Sequence, residues 1–120
     1  MKKENTLENI NLYNLLHATY DDKRVKDGRV TSQSTPEDTL VLQLQDQQGE
    51  VVGTIYANVA DRYPDSLLYT LYQGYGTVEL EQWHYDFSED DTYETGARNI
   101  VDECMNGLKD FDLIRGGGNA

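Results

Sequence analysis

Between His84 and Glu94 the chain reads HYDFSEDDTYE, which sets five carboxylates in eleven positions with no lysine or arginine among them. Side chains at that density can hold a hard cation, open a helix, or present a wall of fixed negative charge. Calcium fails on spacing. With Asp86 at the first position of a helix–loop–helix calcium site, Ser88 and Asp90 fall at the third and fifth. The sixth is then Asp91, where the turn needs glycine, and the twelfth is Ala97, where a bidentate glutamate belongs. Zinc is no better served: His84 and Asp86 alternate onto one strand face, but His17 is remote and Cys104 is the sole cysteine. No metal and no cofactor are expected.

Nucleophilic and acid–base chemistry fare the same way. Cys104 recurs with Ala97, Ile100, Val101 and Leu108 at helical spacing, so it reads as a small buried hydrophobe with a raised pKa. Glu79 and Glu81 alternate with Val78 and Leu80, which marks a solvated sheet face in preference to an acid–base pair. The stretch QGYG at 73–76 matches neither glycine-rich phosphate loop, and there is no nucleophile elbow or H-E-x-x-H. A non-enzymatic protein is the expectation.

The elements that carry these residues follow from hydrophobic period. Ser88 suits an N-cap, and Glu89, Asp90 and Asp91 then complement the positive end of a helix dipole. Tyr93, Ala97, Ile100, Val101, Cys104, Met105 and Leu108 continue at helical spacing, with Asn106-Gly107 as the stop. Glu94–Arg98 and Arg98–Asp102 supply i,i+4 pairs. Residues 5–20 predict a first helix, capped by Asn5 with Glu8, whose apolar stripe runs through Leu12, Leu15, Leu16 and Tyr20, widened by Ile10 and Tyr13. The polar stretch 21–37, with its basic run DKRVKDGR, reads as a solvated loop.

Period two then takes over. Leu40, Leu42 and Leu44 alternate with Val41, Gln43 and Gln45, and after Asp46-Gln47-Gln48-Gly49 the alternation resumes from Val51 to Ala57. That is a hairpin closed by a type I turn. The Tyr-rich stretch 67–75 fits a second hairpin through Gly74 and Gly76, or a short helix capped by Asp65; Tyr and Thr favour the strand. In the last strand Val78 and Leu80 lie on one face but Trp83, Tyr85 and Phe87 on the other, which calls for a bulge near Gln82 or burial on both faces. The fold class is α+β: an N-terminal helix, an antiparallel sheet of three to four strands, and a C-terminal helix packed on one sheet face. Residues 1–120 form one domain, with 115–120 as a flexible tail.

Charge narrows the function. The net charge is −12, yet residues 1–36 sum to +1 and residues 37–112 to −14. Binding a phosphate backbone needs lysine and arginine, so direct nucleic-acid binding is excluded for the body of the domain. Leu, Ile, Val and Phe number only 27, so some of the nine tyrosines must help to fill the core. One cysteine, no apolar run of membrane length and no leader-like start point to the cytoplasm.

The hairpin LVLQLQDQQGEVVGTIYANV, with its alternating strand, D-x-x-G turn and second strand ending near asparagine, resembles a pattern in small accessory proteins of phages, plasmids and conjugative elements. The resemblance covers about 20 of the 120 residues. It implies a role of the kind some of those proteins have, blocking host restriction or CRISPR machinery through an acidic surface, and it transfers no functional residue.

The expected function is therefore an acidic binding protein, a nucleic-acid mimic that inhibits a basic nucleic-acid-handling protein of host defence. Asp86, Glu89, Asp90, Asp91 and Glu94 would supply its charge, joined by Glu79 and Glu81. Tyr85 is a candidate anchor; Trp83 is another, although it reads first as a core residue. The alternative is a housekeeping module that binds a small ligand or forms a homodimer through the Tyr-rich sheet surface. A hydrolase with a carboxylate site is a third option, and it requires converging acids in a cleft.

Overall fold

The computed structural model describes residues 10–31, 38–60, 63–76, 78–87, 91–111 and 113, with backbone alone at 63–65. Along the chain run α1 (Leu12–Ala18), β1 (Val25–Thr31), β2 (Thr39–Gln45), β3 (Val51–Ala60), β4 (Tyr63–Gln73), β5 (Val78–Asp86) and α2 (Tyr93–Asp110). The strands form one antiparallel sheet in the order β1-β2-β3-β4-β5, each hydrogen-bonded to its neighbour in the chain. This is the expected α+β class, with five strands in place of three or four.

Register assigns the two faces. Val30, Leu40, Ala57, Tyr69 and Trp83 pair across the sheet in one row, and Arg29, Val41, Tyr56, Thr70 and Gln82 in the next. Because successive side chains point to opposite faces, the first row belongs to an inner face and the second to an outer one. Both helices lie on the inner face, α1 against β1 and β2, α2 against β3 and β5. Gly28 is where α1 meets the sheet: a Cβ there would come within 2.7 Å of Leu16 Cδ1 and 2.8 Å of Leu42 Cδ2. Leu15, Leu44, Ile55, Leu67, Leu71, Val101 and Leu108 are buried between the layers, each contributing about 1.5–3 kcal/mol of transfer free energy. Tyr69 is fully buried among them, so a tyrosine does serve as core.

The departures from expectation have local causes. β1 lies inside the stretch read as a loop. Its sequence VKDGRVT offers the inner face only Gly28 and Val30 as mid-strand residues, so its pairing with β2 leaves little hydrophobic signal. Asn11 caps α1, accepting from the amides of Tyr13 (2.9 Å) and Asn14 (3.1 Å), and the helix ends at Ala18; Asn5 lies outside the described residues. Tyr13 and Tyr20, read as part of the apolar stripe, are exposed. The Tyr-rich segment is strand, as favoured, as far as Gln73, and residues 74–76 form the turn. The parity switch in β5 is a bulge: Leu71 pairs with Glu81 and Tyr72 with Glu79, which leaves Leu80 as the extra residue.

α2 begins four residues later than the Ser88 cap implied. Thr92 takes the N-cap role, its hydroxyl accepting from Thr95 N at 3.0 Å. Asp91 therefore precedes the helix, Glu94 is the acid in its first turn, and Ser88 lies outside the described residues. Nor does Gly107 stop the helix, which continues to Asp110. Gly107 is a point of close approach: a Cβ there would sit 3.2 Å from Trp83 Cη2 and 3.4 Å from Leu71 Cδ2.

Candidate functional site: an acidic sheet edge and an open sheet face

Among the described residues β5 is an edge strand, and its bulge sorts the carboxylates. Glu79, Gln82, His84 and Asp86 share the outer face and are exposed; Glu81 falls on the helix side, also exposed. Glu79 and Glu81 thus do not form the single solvated face that simple alternation implies. Leu80, Trp83, Tyr85 and Phe87 pack toward the core. Trp83 lies with its ring centroid 5.4 Å from that of Tyr69 and is a core residue, as first read.

Tyr85 is not a free anchor. Half-buried, it accepts from Asn99 Nδ2 at 3.0 Å and donates to Asp91 Oδ2 at 3.3 Å, which ties β5 to the start of α2. Burial, together with the Asp91 charge, raises its pKa against the opposing Asn99 bond. Glu94 is exposed on α2, and Glu89 and Asp90 lie outside the described residues.

Glu103 joins this side without having been singled out from sequence. It is exposed on α2 yet accepts a 2.8 Å hydrogen bond from the hydroxyl of buried Tyr69. Burial first, and then Glu103 and Glu81, push the Cys104 thiol up, so strand and helix bring two carboxylates toward one buried cysteine. The available signal was spacing: Glu103 stands four residues beyond Asn99, on the flank of α2 that faces β5.

Four of the described cations lie at the opposite edge of the sheet, and two, Arg98 and Lys109, are carried by α2. Lys23, Arg24, Lys26 and Arg29 all belong to β1 or the turn before it. Arg24 is bonded to both Asp22 and Asp102, which joins that turn to α2. Asp102 pairs there rather than with Arg98, whose positive charge instead acts on Asp22. Lys26 Nζ donates to the Gly49 carbonyl at 2.7 Å. Between Arg62 and Arg98 the chain has eight acids and no lysine or arginine. Four strand spacings, roughly 19 Å, separate the cation-bearing edge from the acidic one. Among the described residues Glu79, Glu81, Asp86 and Glu94 form no ion pair.

The outer face adjoining this edge is covered by no described element. Val41, Thr54 and Thr70 are nonetheless buried in it, beneath larger neighbours. Tyr56 is exposed and Tyr72 half-exposed, and their rings meet edge to face, centroids 5.3 Å apart at 78°. Gln82 Nε2 donates to Thr70 Oγ1 (3.1 Å), and Ser66 Oγ to Asp86 Oδ1 (2.6 Å).

Among the described residues no group of three or more His, Cys, Asp or Glu is arranged to hold a metal ion. A recess of about 410 Å³ is lined by Ile10, Asn11, Leu12, Tyr13, Asp38 and Val59, and brings a single carboxylate to its wall. Among the described residues no helix is long and apolar enough to cross a membrane. No protein-family model, curated protein or solved structure matches the chain.

Proposed function

We propose that the chain is a non-enzymatic binding protein whose acidic β5 side occupies the basic site of a nucleic-acid-handling protein, of the kind found in host defence, in the place of a phosphate backbone. One observation carries this reading: Glu79, Glu81 and Asp86 of β5, with Glu103 on the adjoining flank of α2, form no ion pair among the described residues, while the described basic residues of β1 and the turn before it lie at the other edge of the sheet. Such separation gives the molecule an oriented field, which speeds encounter with a positive surface and sets the docking direction. The acids stand on a strand and a helix, so their spacing is held by the scaffold and little ordering cost remains on binding. A role as inhibitor follows from competition, since a partner holding this edge cannot hold its nucleic acid there.

Capture from lysate with the immobilised chain tests the reading. The retained protein should be basic and nucleic-acid-binding, should elute as salt rises, and should be displaced by duplex DNA. Glu79→Lys, Glu81→Lys and Glu94→Lys together should abolish capture without loss of fold, because these side chains are exposed and form no ion pair among the described residues. Retention of the same partner by the triple variant, or indifference to DNA, would refute it.

A further inference from the structure

We infer that the open sheet face beside β5 seats an arginine of the partner, its guanidinium stacked on Tyr72 and paired with Glu79. This rests on the acidic docking reading and specifies the contact within it. Tyr72 and Glu79 are directly opposed in the β4–β5 register, both on the outer face. Opposed side chains in an antiparallel pair stand about 5 Å apart at Cβ, a span that one guanidinium can bridge. The edge-to-face contact with Tyr56 fixes the orientation of the Tyr72 ring before any ligand arrives. Glu79 makes no hydrogen bond or ion pair with a described residue, so both carboxylate oxygens remain available. The strand return that opposes the two is itself pinned: Thr54 Oγ1 donates to the Gly74 carbonyl at 2.6 Å, and Gly74 N to Val52 O at 3.1 Å.

Arginine fits this pair better than lysine does. Its planar, weakly hydrated guanidinium can lie on an aromatic face and bond a carboxylate through two N–H groups, whereas an ammonium is a compact, strongly hydrated charge. A second copy of this chain fits poorly. Asp27, Gln43, Thr54, Tyr72 and Glu79 form one row across the sheet. Stacking two outer faces about a two-fold axis along the strands would set Asp27 of one copy over Glu79 of the other.

Binding of oligo-arginine and oligo-lysine peptides of equal length to the full chain, read by fluorescence anisotropy across a salt series, tests the inference. Oligo-arginine should bind about five-fold tighter. Tyr72→Ala should erase that preference while leaving oligo-lysine binding unchanged, and Glu79→Gln should weaken both peptides and narrow their ratio. Tyr72→Leu, which keeps apolar bulk on the strand without an aromatic face, should behave as Tyr72→Ala does and guards against misfolding of the smaller variant. Equal affinities in the unaltered chain, or a preference that survives both Tyr72 variants, would overturn the arginine seat and leave the acidic edge standing. Absence of salt-sensitive binding to either peptide would overturn both. Dimerisation of the chain alone, reversed by Tyr72→Leu, would assign the face to a second copy and likewise overturn the seat.

Discussion

Phe87 rests its ring on Gly96, and this contact makes an unusual prediction about sign. A Cβ built on Gly96 would overlap Cε2 and Cζ of Phe87. Phe87 is 5% exposed, so its ring cannot swing away without giving up buried surface. Gly96→Ala should therefore overpack the joint between β5 and α2, at a cost of about 1–3 kcal/mol. Against this stands the gain of alanine over glycine inside a helix, up to about 1 kcal/mol. The net expectation is a loss of about 1–2 kcal/mol, where an unobstructed helical glycine would show a gain. Phe87→Leu supplies the control, since leucine lacks the two offending ring atoms. In that background Gly96→Ala should stabilise by up to about 1 kcal/mol, giving a coupling between the sites of about 2 kcal/mol. Urea titrations followed by Trp83 fluorescence and far-ultraviolet circular dichroism would measure all four corners of the cycle. A higher midpoint for Gly96→Ala alone, or the same sign in both backgrounds, would refute the claim that the ring is seated on this glycine.

Further outcomes follow from the hydrogen bonds and buried groups. Burial, aided by Glu103, raises the pKa of both Tyr69 and Cys104 above their ordinary values. Their stabilising effect is complete below the unfolded-state pKa values and fades as pH rises toward the folded ones, so stability should fall above about pH 9; Tyr69→Phe with Cys104→Ala should flatten that limb in thermal melts. On the acid side, burial alone would raise the Asp22 carboxyl, but the Arg24 hydrogen bonds outweigh it and hold it below the usual value. That contribution is present above about pH 4 and lost as pH falls through the lowered pKa, a loss that Arg24→Met should abolish in acid titrations. Thr92→Ala, which removes the cap of α2, should cost about 1 kcal/mol in denaturant unfolding.

What could be read in advance depended on whether a residue's environment was set locally. The β2–β3 hairpin was legible because leucines alternate around an Asp-Gly turn; Asp46 Oδ1 accepts from Gln48 N (2.9 Å) and Glu50 N (3.0 Å), while Gly49 takes φ +86°. The helical face of α2 was legible for the same reason. β1 was not, since its pairing is held by main-chain bonds to β2 and its side chains are mostly polar. Gly107 misled because a helix stop and a tight helix–sheet contact both require glycine, and only the position of Trp83 separates them. At the acidic edge the sequence located the charge but not its sorting. One extra residue, Leu80, sends Glu79 and Glu81 to different faces, and Tyr85 turned out to be committed to α2. Glu103 escaped notice because its partner, Tyr69, is 34 residues away in the chain.

The strand order has a consequence for synthesis. Each strand can pair with the one made just before it, so the sheet can zip up as the polypeptide leaves the ribosome, without waiting for distant segments. The lid over β3 and β5 is α2, the last of the seven described elements to emerge. Until it does, Ile55, Leu67, Tyr69 and Leu71 stand bare on a nascent sheet, a sticky intermediate of the type that recruits chaperones. The run of acids made immediately ahead of α2 stands where mutual repulsion would keep such half-made chains apart.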